Sequence, residues 1–181
     1  MKGRNLTIIV KEDIYKFITQ SLQSDVIVPE RGSTLMNIIK PHLCLVPDEW
    51  ESEPMRDDYR YLQVELPDLR QVYEARSGKV YYCDTLFRDH ITKKGLIRVQ
   101  RFFKRTYHAE FCAFLAGWVE RQYVDNETAD RERRIQVTNG IVAFLNNYHI
   151  DFDEKMVEAH RQAWIRYLKN IEKYRVSPVL H

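Results

Sequence analysis

The chain has 181 residues, 44% hydrophobic and 30% charged, with a net charge of only +2. This composition excludes a wholly disordered chain and a polybasic tail, so a polyanion could be bound only through cations gathered on one surface. Three cysteines, Cys44, Cys83 and Cys112, stand far apart with no CxxC. That excludes a disulfide framework and a zinc ribbon, and predicts reduced thiols.

In chain order, Leu6–Val10 is short and β-branched and predicts a strand. It is also too short for a signal peptide, and no run reaches the length of a membrane-spanning helix. A cytoplasmic protein without membrane association is therefore expected. Lys11–Gln23 carries Ile14, Phe17, Ile18 and Leu22 at helical spacing. Val26–Val28 predicts a second short strand, Glu30-Arg31-Gly32 a turn, and Ser33 the cap of a helix that Pro41 stops. Leu45–Asp58 holds Pro47, Pro54 and the acids Asp48, Glu49, Glu51, Glu53, Asp57 and Asp58 against Arg56 alone. It reads as a solvated loop or linker.

Tyr59–Leu66 predicts a strand ended by Pro67. Leu69–Ala75 and Lys79–Cys83 flank Arg76-Ser77-Gly78, a hairpin turn, so a short antiparallel meander is expected, with Tyr73, Tyr81 or Tyr82 on its exposed face. From Leu86 the pattern becomes helical. The spacing of Ala109, Ala113 and Gly117 predicts close approach of another helix there. Whether one helix spans Thr92–Tyr123 or a break falls near Thr106 is left open. A helix over Thr128–Tyr148 turns Ile135, Ile141, Val142 and Leu145 inward, with Gly140 weakening it by roughly 1 kcal/mol. Asp151 and Glu154 resemble a capping box. The final helix places Val157, His160, Trp164, Tyr167, Ile171 and Tyr174 on one line. The expected class is α+β, mainly α: a small α/β portion with a meander over residues 1–86, then a bundle of about four helices over 87–181.

The strongest functional signal is Thr92–Tyr123. On a helix of 3.6 residues per turn, Lys94, Arg98, Arg101 and Arg105 fall within roughly 60° of one another. Leu96, Val99, Phe103 and Tyr107 fall opposite, and no acidic residue occurs between Ile91 and Ala109. Evenly spaced cations on a helix suit successive phosphates, arginine can also read guanine edges, and Phe102 beside the stripe can stack on a base. Lys93 and Lys104 extend the cationic set. The leading expectation is thus a non-enzymatic nucleic-acid-associated protein, such as a small regulator, that binds DNA or RNA through this face. The alternative is a structural or interaction module whose basic face is solvated, paired with its own acidic stretch, or set against an acidic partner or a second copy.

Enzymatic signals are weaker. Asp68 and Glu74-Ala75-Arg76 loosely resemble the Asp…Glu-x-Lys set of metal-dependent nucleases, with arginine in the lysine's place. The six histidines form no HExxH pair, and neither a phosphate loop nor a Gly-x-Ser-x-Gly elbow occurs. His160 reads as a core histidine, and the aromatic line Phe103, Tyr107, Phe111, Phe114 and Trp118 as core. No cofactor, metal or catalytic residue is expected.

Overall fold

A computed structural model describes residues 4–45, 47–52, 54–67, 71–74, 80–83, 90–122 and 130–175. The fold is α+β and mainly helical. Its contacts divide into two compact units, Met1–Lys104 and Arg105–His181.

In the first unit, β1 (Arg4–Lys11) pairs antiparallel with β4 (Tyr59–Leu66), and β2 (Val26–Ile27) adds to the other side of β4 in parallel. Alternation decides the face. Leu6 and Ile8 stand opposite Val64 and Leu62, and all four are buried. Each such side chain stabilises the fold by about 1.5–3 kcal/mol relative to full exposure. Between β1 and β2 runs α1 (Glu12–Leu22), which buries Ile14, Phe17 and Ile18. It ends where Gln23 adopts a left-handed φ of 50° and its N–H closes on the Gln20 carbonyl. Next, α2 (Thr34–Ile39) is capped as expected, the Ser33 hydroxyl accepting from the Met36 N–H. Pro41 sits in a 3-10 turn, Lys40–His42, that follows directly.

Three expectations change here. Leu45–Asp58 is not merely a solvated loop, because it contains a 3-10 turn, Glu49–Ser52, in which Trp50 is buried. The strands β5 (Gln71–Glu74) and β6 (Val80–Cys83) pair with each other in a ladder separate from β4, rather than continuing it as a meander. Their turn, Arg76–Gly78, lies outside the described residues, as do the side chains of Tyr73, Tyr81 and Tyr82. Within the stretch expected to be helical from Leu86 onward, His90–Ile91 is instead a short strand, β7, paired with β3 (Leu43–Cys44).

One unbroken helix, α3 (Lys93–Gln122), follows, with no break at Thr106. Among the described residues the C-terminal half holds three helices: α3, α4 (Asp130–Asn147) and α5 (Glu154–Arg175). In the second unit Phe111, Leu115, Ile141, Phe144 and Leu145 are fully buried. Ile135, expected inward, is instead exposed. Ala109 and Ala113 are exposed too, so they are not the close-approach surface. That role belongs to Gly140, where an added Cβ would lie 2.6 Å from Leu115 Cδ1 and 2.8 Å from Trp118 Cδ1. The cap of α5 is Asp153, not Asp151: Asp153 Oδ1 accepts from the Met156 N–H at 2.8 Å. Cys112 is a buried thiol outside any disulfide, and burial pushes its pKa up, while the side chain of Cys83 lies outside the described residues. No described helix is long and apolar enough to cross a membrane.

Candidate nucleic-acid interface

The start of α3 is held by three separate polar contacts. The Thr92 hydroxyl accepts from the Gly95 N–H at 3.3 Å, which makes Thr92 the N-cap. Asp48 Oδ2 accepts from the Lys93 N–H at 2.8 Å, placing a carboxylate at the positive end of the helix dipole. The Thr92 N–H donates to the His42 carbonyl at 3.0 Å. Just upstream, the Trp50 indole N–H donates to the Ile91 carbonyl at 2.8 Å, and Glu51 meets His90 Nδ1 at 2.9 Å. The acidic stretch therefore engages the backbone and flank of the helix start.

The first three turns of α3 separate cleanly. Leu96, Val99 and Phe103 are buried, as is Tyr107 in the second unit. Gln100 on the flank donates to the Ile9 carbonyl of β1 at 2.7 Å, fixing the helix against the sheet edge. Lys93, Lys94, Arg98, Arg101, Lys104 and Arg105 are all exposed. Phe102 is half-buried, its ring tilted against Phe103 with centroids 5.5 Å apart. Arg98 Nη1 donates to His42 Nε2 at 3.2 Å. Lys94, Arg101, Lys104 and Arg105 form no ion pair among the described residues.

His42 is the support that sequence reasoning missed. Gly95 admits it: a Cβ at position 95 would lie 2.4 Å from His42 Cβ and 2.8 Å from Ile91 Cγ1. Because Nε2 accepts from a guanidinium, the imidazole is neutral with its proton on Nδ1. Burial, then Arg98, then Lys94 lower its pKa below the ordinary histidine value. The sequence signal for this arrangement is the lone glycine inside an otherwise strong helical pattern.

The side chains of the nuclease-like candidates fall outside what the structure describes. Asp68 and Arg76 lie outside the described residues, and Glu74 is described only as backbone of β5. Among the described residues, no group of three histidine, cysteine or acidic side chains could hold a metal ion. His160 is a buried core histidine hydrogen-bonded to Tyr107. The face of α3 thus presents exposed positive charge beside the half-buried ring of Phe102. No known family model matches the chain, and neither the curated proteins nor the solved structures contain a significant match to it.

Proposed function

We propose that the protein is a non-enzymatic nucleic-acid-binding protein that takes the phosphate backbone of DNA or RNA on the exposed face of α3. What supports this reading is one observation: Lys94, Arg101, Lys104 and Arg105 are exposed and unpaired among the described residues, although an acidic stretch lies close in the fold. Asp48 and Glu51 are occupied by the Lys93 N–H and His90. A cationic row without internal partners retains its full Coulombic attraction for a polyanion and displaces condensed counterions on binding. Arg98, held by His42, is fixed in direction and therefore loses less side-chain freedom on contact than its neighbours.

The experiment is gel-shift or calorimetric titration with duplex and single-stranded oligonucleotides across a salt series. Lys94→Ala/Arg101→Ala should weaken binding and reduce the slope of log affinity against log salt by about 0.9 per lost duplex contact. Both side chains are exposed, so the fold should be retained. A wild type that binds no oligonucleotide at low salt rejects the proposal.

A further inference from the structure

The second unit carries an open groove of about 460 Å³ between α4 and the start of α5. Val142, Phe152 and Val157 give it an apolar lining, and Phe152 is 38% exposed. Its rim carries Asp153, Glu154 and Glu158 against Arg161 alone. Glu158 is already engaged by Arg161 and Gln162, and Asp153 caps α5, so Glu154 is the carboxylate left to meet a partner.

The complementary surface is on the same chain. Ile97 of α3 is 41% exposed, a large aliphatic side chain amid cations. Lys93, Lys94 and Arg101 stand three or four residues from it, hence one helical turn away on the same face. Binding of free polyanion alone does not call for an aliphatic side chain at this position. A groove with an apolar lining and an acidic rim does.

We infer that the groove receives the Lys94–Arg101 turn of a second copy of this chain, with Ile97 seated against Phe152 and Val157, and Lys94 and Arg101 facing Glu154 on the rim. The two surfaces differ, so the association is heterologous and runs head to tail. It uses the face assigned above to nucleic acid, so nucleic acid and the second copy exclude each other there. The inference does not depend on the nucleic-acid reading, since it is tested on protein free of nucleic acid.

Sedimentation velocity of the full chain over a concentration series provides the test. The wild type should self-associate at low salt. The association should weaken severalfold between about 0.1 M and about 1 M salt, as the screening length falls from roughly 10 to roughly 3 Å. A groove variant, Glu154→Lys/Glu158→Lys, and a face variant, Ile97→Asp/Arg101→Glu, should each be monomeric alone. Mixed together, they should form a one-to-one complex, because one retains the face and the other the groove. A monomeric wild type, a salt-independent association, or mixed variants that stay apart would overturn the inference. Circular dichroism on each variant establishes that it is folded. Should either fail to fold, the salt series on the wild type with Phe152→Ser decides: unchanged association rejects the groove, lost association supports it.

Discussion

The hydroxyl of Tyr107 and Nε2 of His160 lie 2.7 Å apart inside the helical unit, joining α3 to α5 through two buried side chains. His160 Nδ1 lies 2.8 Å from the Met156 carbonyl, which accepts its proton. Nε2 is therefore the acceptor, and the tyrosine donates to it. The rings of Phe111 and Phe144 enclose the pair edge-on. Tyr107→Phe leaves a buried nitrogen without its donor and should cost about 1–3 kcal/mol. Tyr107→Phe/His160→Leu should cost less than the sum of its two single changes, since both partners are removed together. Urea unfolding measures both. Strictly additive costs would mean that the hydrogen bond contributes nothing.

At two glycines, substitution by a better helix former should destabilise. Alanine is favoured over glycine in a helix by about 1 kcal/mol. Gly95→Ala nevertheless drives a methyl into His42 Cβ, an atom too near its backbone to swing aside. Gly140→Ala meets Leu115 and Trp118. Overpacking of this kind costs roughly 1–3 kcal/mol, so both variants should unfold at lower urea than the wild type. A higher midpoint for either would show that the neighbours yield freely.

Legibility in the sequence followed the range of the forces involved. The basic stripe and its buried opposite face were readable because one helix sets both, through residues three and four apart. The Gly140 contact was not, since it depends on which face of α4 turns toward Leu115 and Trp118. Trp50 was hidden by its setting among acids and prolines, although a tryptophan in such a segment needs a dry place and a partner for its N–H. Asp153 and Asp151 compete for one cap, and only the helix phase separates them. β7 is two residues long, too short for any pattern to show.

His42 should make the first unit acid-sensitive. Its pKa in the folded chain is lowered by burial first, then by Arg98 and Lys94. The unfolded chain, titrating near the ordinary value of about 6.5, takes up the proton first. The stability associated with neutral His42 is thus fully present above that value. It falls as the pH drops below it and levels off under the folded-state pKa. His42→Gln keeps an acceptor for Arg98 and removes the titration. Urea midpoints from neutral to mildly acidic pH should therefore fall more steeply for the wild type than for His42→Gln. Equal slopes would dismiss the idea.

Two helices end on residues that are strained where they stand. Gln23 after α1 and His149 after α4 have φ of 50° and 51°. The left-handed region costs a non-glycine residue roughly 1–2 kcal/mol. The His149 N–H closes on the Asn146 carbonyl and the Ile150 N–H on Leu145, so the geometry is needed to end the helix. Gln23→Gly and His149→Gly should each raise the thermal midpoint, less the entropy that glycine adds to the unfolded chain. A lowered midpoint in either would mean that the replaced side chain contributes more than its strain.

Trp50 gives the first unit an optical reporter. Of the three tryptophans it alone falls within Met1–Lys104. Its indole is buried and donates to the carbonyl of Ile91, one residue before the cap of α3. In a Trp118→Phe/Trp164→Phe background its fluorescence comes from that single dry site. Loosening of the helix start would admit water to the indole and move the emission to longer wavelength. Opening of the helix start can then be followed by colour from within the protein, with no label attached.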